Sequence, residues 1–276
     1  MQVTVIGPTG SGKTMYLAAL LRAAFSVRRA SRPMVVRADP RSAAAVALDD
    51  SATALLCGRS VPATSAVSLL EFFVDLPGSR LFGIGKESMR LSMVDVPGGG
   101  CMPAPGCEVD ALVVQSMAAS DALLVVVPAA PAARPADFTE RLRHIISLAV
   151  KTRRQRQTFA FTRIAVVLTM AELLVADQGH AALATLELRD SAHEVAAACA
   201  GLPSLVRQHV PPGGDWYSMV SALGFDVATG EVACEASTSG WQLRTNGQPF
   251  RDDWLPYRAF EPLEFLARGV CWRERP

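Results

Sequence analysis

The sequence predicts a doubly wound α/β fold, a mostly parallel sheet with one antiparallel hairpin and helices on both faces. Three observations carry this. A short Val/Ile strand, a glycine-rich loop and a helix follow one another near the start of the chain. Further continuous apolar runs recur downstream, as in central parallel strands covered on both faces. Helical stretches separate those runs, and alternating strand and helix is the pattern of a wound parallel sheet.

Taken in order, Gln2–Ile6 (QVTVI) reads as the first buried strand. Gly7-Pro8-Thr9-Gly10-Ser11-Gly12-Lys13-Thr14 then fits the phosphate-loop pattern G-x-x-x-x-G-K-[ST] without a gap. Its glycines let the backbone turn sharply and approach a ligand, so that successive N–H groups form an anion-binding nest. Lys13 is expected to neutralise β- and γ-phosphate oxygens, and the Thr14 hydroxyl to ligate Mg²⁺. Residues 15–28 follow as a helix with Leu17, Leu20, Leu21 and Phe25 on one face, and its N-terminal dipole adds to the phosphate site.

Residues 29–65 read as irregular, with Arg28, Arg29, Arg32, Arg37 and Arg41 as a solvated surface, and the Ala-rich patches at 43–47 and 129–133 read as helix or loop. Residues 68–74 (SLLEFFV) and 90–96 (RLSMVDV) read as two strands. Pro77-Gly78, Gly83 and Gly85 between them make an antiparallel hairpin the expected connection. Residues 121–127 (DALLVVV), 163–169 (RIAVVLT) and 217–221 (YSMVS) are the further central strands, with helices expected over 136–153 and roughly 178–200. The tail is more polar, carries the hairpin signal Asn246-Gly247, and ends in EPLEFLAR, a closing helix with Pro262 in its first turn. The whole reads as a single domain over 1–276, with a core to about 225 and residues 226–276 as a β-extension and last helix.

Composition excludes several classes. The formal net charge of +1 makes no global case for nucleic acid or an anionic membrane, so neither is an expected partner. No uncharged apolar run reaches the ~18 residues of a membrane span, and the absence of a basic region before the first apolar stretch argues against a signal peptide. A cytoplasmic protein is the expectation. None of the six cysteines forms a CxxC pair, so reduced, scattered thiols are expected rather than a zinc site; Cys101 and Cys107 are the one local pair. The basic run from Lys151 to Arg156, with Arg141 and Arg143 before it, reads as a solvated helix end without the aromatic interleaving that nucleic-acid stacking needs. The four histidines are dispersed.

A second nucleotide signal is Asp95-Val96-Pro97-Gly98, at the end of the second hairpin strand. Asp95 can hold Mg²⁺ through water, and the Gly98 N–H can sense a γ-phosphate. With GPTGSGKT, DVPG and the late VSALG in place, the chain resembles the Ras-like P-loop GTPases of the translation-factor-related (TRAFAC) class over roughly residues 1–225. Looser patterns, including the PYR…EPLEFL end, also resemble bacterial double-GTPase-type domains. The resemblance implies GTP/GDP and Mg²⁺ as ligands, and Thr64 as the switch threonine that closes on Mg²⁺. Ser221, Ala222 and Leu223 match the station whose backbone N–H contacts the base carbonyl, although a helix-start serine is an equally ordinary reading. It further implies partner proteins that bind through the switch segments.

Three departures follow. Where the family reads guanine with [N/T]KxD, this chain has Thr169-Met170-Ala171-Glu172. Glu172 can still accept from two guanine N–H donors and Met170 can cover a base face, while a plain helix start at Ala171-Glu172 is the competing reading. Gly99 follows DVPG where many relatives carry a water-orienting glutamine, so slow or partner-assisted hydrolysis is expected. Residues 101–115 lengthen the second switch. The alternatives are a non-hydrolysing nucleotide-dependent scaffold and a P-loop ATPase or kinase.

Overall fold

The computed structural model describes residues 1–26, 35–38, 42–59, 68–76, 87–95, 102–103, 107–152, 160–226, 228–237, 240–244 and 254–269. The chain runs β1 (Gln2–Ile6), α1 (Lys13–Ser26), β2 (Val35–Ala38), α2 (Ala43–Leu56), β3 (Ser68–Leu76), β4 (Glu87–Asp95), α3 (Ala111–Ala119), β5 (Ala122–Pro128), α4 (Phe138–Thr152) and β6 (Arg163–Thr169). It continues through α5 (Ala182–Glu187), α6 (Ser191–Ala198), α7 (Leu202–Arg207), β7 (Asp215–Met219), β8 (Ser221–Asp226), β9 (Cys234–Ser237), β10 (Gly240–Leu243), β11 (Trp254–Tyr257) and α8 (Glu261–Arg268).

Seven strands form the main sheet in the order β2-β3-β4-β1-β5-β6-β7. β1 pairs in parallel with β4 on one side and β5 on the other. β5, β6 and β7 continue in parallel, whereas β3 runs antiparallel to both β4 and β2. The strand order thus reverses beside β1, and the crevice between the C-terminal ends of β1 and β5 is where such sheets bind ligands. The hairpin read from residues 68–96 is β3–β4. Several elements were not anticipated: β2 extends the antiparallel edge, α3 and α7 occupy stretches given no helix, and α2 runs from the Ala-rich patch at 43–47, read as helix or loop, on into the stretch read as irregular. The helix expected over 178–200 is broken into a 3₁₀ turn, α5 and α6, because the Asp190 side chain accepts from Ala192 N and His193 N and starts a new helix.

Every residue of β5 is buried, and its alternation splits the core. Leu123, Val125 and Val127 join the side formed with Val113, Leu142, Ile145 and Leu205, from α3, α4 and α7. Leu124 and Val126 join Val3, Val5, Tyr16, Leu20, Leu263 and Leu266, beneath α1 and α8. Helix α4 shows why it forms. Phe138, Leu142, Ile145, Ile146 and Ala149 are its buried residues, one stripe at helical spacing with charged residues between.

The tail is fastened to this core. Pro262 and two glutamates open α8, and Gly269 closes it. Arg163 donates to the Leu266 and Ala267 carbonyls at 2.7 and 2.9 Å, satisfying the helix end, and Phe265 stacks on Trp216 at 5.5 Å. On α1, the buried Tyr16 hydroxyl donates to the Ala259 carbonyl at 2.6 Å. Tyr16→Phe would leave that buried carbonyl without its donor and is expected to cost about 1–3 kcal/mol in urea unfolding, with an unchanged m value. No helix among the described residues is long and apolar enough to cross a membrane.

Candidate functional site

The phosphate-loop residues lie between the C-terminal ends of β1 and β5. Gly7 sits hard against β5: a Cβ built there would be 2.5 Å from the Val126 carbonyl oxygen and 2.9 Å from Ser11 Oγ. Gly10 and Gly12 have φ of +76° and +77°, so the loop turns through left-handed backbone. Ser11 N donates to the Pro8 carbonyl within the loop. Lys13 opens α1 and is only 7% exposed, and its Nζ donates back to the Gly7 and Pro8 carbonyls at 2.8 and 2.9 Å. The loop therefore wraps its own lysine, whose charge stays at the loop centre. Thr9 and Gly10 are exposed at the loop crest, and Thr14 is half-buried on the first turn of α1.

Residues of β6 brace this loop from the other side. The Thr169 hydroxyl donates to the Ser11 carbonyl at 2.6 Å. Nothing in the string RIAVVLT signals that role, because it needs β6 to lie two strands from β1. Met170 follows in left-handed backbone, φ 59°, and its Cε would be 3.5 Å from a Cβ at Gly12. Met170 thus lies against the loop at Gly12.

Ala171–Leu174 forms a 3₁₀ turn, so Glu172 does begin a helical turn, the competing sequence reading. It is also 1% exposed and its Oε2 has no hydrogen-bond partner. Burial pushes its carboxyl up to about 7, offset in part by the hydrogen bond with Ser221 and by its own backbone N–H. Ala171 N donates to the Val220 carbonyl, and Val220 N to the Leu168 carbonyl, which seats residues 220–224 beside this turn. Ser221, Ala222 and Leu223 do not start a helix. They open strand β8, all buried, with Ser221 Oγ accepting from Gly224 N at 2.6 Å. The buried Cys234 of β9 completes the surroundings of Glu172; its thiol is pushed up by burial and further by the glutamate. Sequence reading gave Cys234 no place here.

Asp95 closes β4, paired with Ser68 of β3. The parallel register of β1 with β4 runs from Gln2↔Arg90 to Val5↔Met93, two residues short of Asp95. Thr64 and Gly98 lie outside the described residues, as do Gly99, Cys101 and Asn246-Gly247. Among the described residues no cluster of His, Cys, Asp and Glu could hold a metal ion. Both arginines of α4 are neutralised locally, Arg141 by Asp137 and Arg143 by Glu140.

No protein-family model and no curated protein matches the chain. Solved structures similar to it include a bacterial selenocysteine-specific elongation factor EF-Sec (15% identity, 84% of this chain and 26% of that chain, TM-score 0.35). Others are Sup35 complexed with GDP (15%, 80% and 36%, TM-score 0.35) and the S. cerevisiae Ski7 GTPase-like domain bound to GTP (13%, 82% and 44%, TM-score 0.35). The chain thus spans less than half the length of each of these structures. The fold itself rests on the strand order and phosphate loop of this chain: a doubly wound P-loop sheet with one reversed strand and helices on both faces.

Proposed function

We propose that the chain is a Mg²⁺-dependent guanine-nucleotide-binding switch of the Ras-like kind. The observation that carries this is the glycine loop wrapped around a buried, loop-bonded Lys13 beside the β1–β5 crevice. The residues present fit a triphosphate: Gly7 is packed so tightly that any side chain would displace the loop, and a lysine charge stands at its centre. Residues 7–14 would hold the phosphates, with Thr14, Thr64 and Asp95 as the Mg²⁺ set. Mg²⁺ held by those residues would offset the negative charge of the phosphates. Met170 would cover the base, and Glu172 with residues 221–223 would read its edge. The segments near Thr64 and Asp95–Gly98 would order around a γ-phosphate and present a surface to partner proteins.

The purified chain should bind GTP and GDP in preference to ATP and ADP in competition experiments with Mg²⁺. Equal or ATP-favoured binding overturns the guanine assignment and leaves an ATPase or kinase reading. The glycines at 99 and 100 supply no water-orienting side chain, which favours slow hydrolysis or a non-hydrolysing scaffold. Phosphate release above background supports the switch enzyme, and its absence supports the scaffold.

A further inference from the structure

We propose that Arg134, on the turn that follows β5, is a second phosphate-binding cation of the nucleotide site, held beside the crest of the glycine loop. This rests on the phosphate-site part of the reading above and adds a residue to it.

The placement follows from the end of β5. That strand stops at Pro128, and Pro131–Ala133 form a 3₁₀ turn directly after it. Pro131 starts the turn and Pro135 follows Arg134, so Arg134 is held in extended backbone, φ −113° and ψ 120°. The Ala129 N–H donates to the Thr169 carbonyl of β6. A trans peptide points its carbonyl the opposite way, so the Pro128 carbonyl faces the β1 side. The Val126 carbonyl, two residues earlier and facing the same side, is the one that crowds Gly7. The Arg134 guanidinium donates to the Pro128 carbonyl at 2.9 Å, which puts it on the loop side of the strand end. Ala133 gives the same proximity: its Cβ would be 4.0 Å from a Cβ built at Gly10.

This cation has no counter-ion. A guanidinium carries several N–H donors in a planar fork and is always charged. Beyond the Pro128 carbonyl, the Arg134 side chain has no hydrogen-bond or ion-pair partner among the described residues. The nearest acids along the chain are engaged, Asp137 with Arg141 and Glu140 with Arg143. The Cys199 thiol feels the charge of Arg134, but burial pushes that thiol up to about 11, so it stays neutral. Elsewhere the pattern differs: Arg189 is paired with Glu194 and Arg207 with Asp215.

The site is also open. Arg134 is half-buried, while Thr9 and Gly10 at the loop crest, and Pro131 and Ala132 on the turn, are exposed. A partly desolvated, unpaired guanidinium beside an anion-binding loop gains most from a phosphate, whose oxygens accept its fork in pairs. A triphosphate brings several negative charges, and Lys13 answers one of them. Arg134 supplies a further positive charge from a backbone already fixed by two prolines, so little freedom is lost on binding.

The test displaces a fluorescent GDP analogue from the full chain with GTP and, separately, with inorganic tripolyphosphate, which has no base. Arg134→Gln keeps an N–H donor for the Pro128 carbonyl and removes the charge. It should weaken both competitors by about 10- to 100-fold, with the melting midpoint of the nucleotide-free chain unchanged. Arg134→Lys, which restores the charge without the fork, should recover part of that loss. Added salt should weaken wild-type binding more steeply than Arg134→Gln binding, a difference that a merely structural role would not produce.

An Arg134→Gln chain that binds both competitors as tightly as wild type, while Lys13→Ala does not, overturns the proposal and keeps the phosphate site. A loss matched by a fall in melting midpoint, and not relieved by Arg134→Lys, also overturns it and makes the residue a brace for the turn. Unchanged binding in Lys13→Ala overturns the phosphate site and this proposal together. Where wild type favours ATP over GTP, only the guanine reading falls, and an Arg134→Gln loss with tripolyphosphate supports the second cation as before.

Discussion

Gly7→Ala is expected to destabilise the folded chain by on the order of 3 kcal/mol and to lower its melting midpoint by roughly 6–12 °C. The new Cβ would lie 2.5 Å from the Val126 carbonyl oxygen and 3.0 Å from the Val126 Cβ. Val126 has no room to yield. It is fully buried on the central strand β5 and held in register opposite Val167 of β6. The strain must go into the loop or separate β1 from β5, at the crevice where the phosphates would sit. Gly10→Ala is the contrast. Gly10 also sits in the loop, but the nearest atom to its added Cβ is 4.0 Å away. Its cost is only that of left-handed backbone, about 1–2 kcal/mol. Calorimetry of both variants separates steric contact from backbone strain. Equal losses in the two would contradict the close approach at Val126.

Lys13→Ala is expected to cut nucleotide affinity by roughly 100- to 1,000-fold, the effect of removing charge-assisted bonds to two phosphate oxygens. The Lys13 ammonium is bonded to the Gly7 and Pro8 carbonyls, so its removal also deprives those acceptors of a donor. Some loss of stability accompanies the substitution and is read separately from the melting curve. Isothermal titration with GDP and Mg²⁺ checks the affinity. A Lys13→Ala chain that binds as tightly as wild type would sink the phosphate-site reading, whatever the base proves to be.

The parts of the fold legible in the sequence are those that local pattern dictates. β1 and β6 match their apolar runs to the residue, because β-branched side chains without interruption have one strong reading. α2 was legible only as the Ala-rich patch at its start, because its buried positions Leu48, Ala52 and Leu55 are diluted by alanines, which contrast little with their surroundings. β2 is four residues long, too short for any period to show. The site divides the same way. GPTGSGKT is a contiguous motif whose mechanism lies in its own backbone. The surroundings of Glu172 are not contiguous. Ser221 and Cys234 reach it only through the placement of β8 and β9, and Thr169 reaches Ser11 only through the strand order. Those distances in sequence are set by packing, and no short-range signal encodes them.

The fastening of the tail has a consequence for how the chain is made. The face of the sheet beneath α1 and α2 is covered in part by α8, and α1 is tied through Tyr16 to Ala259. On a ribosome that synthesises from the N-terminus, the phosphate loop emerges well before α8, so the face beside it is sealed late. Until α8 emerges, the nascent chain therefore carries an incompletely covered apolar face, the condition that recruits chaperones. Removing α8 and the segment that carries Ala259 is therefore expected to loosen α1, and with it the glycine loop that α1 follows.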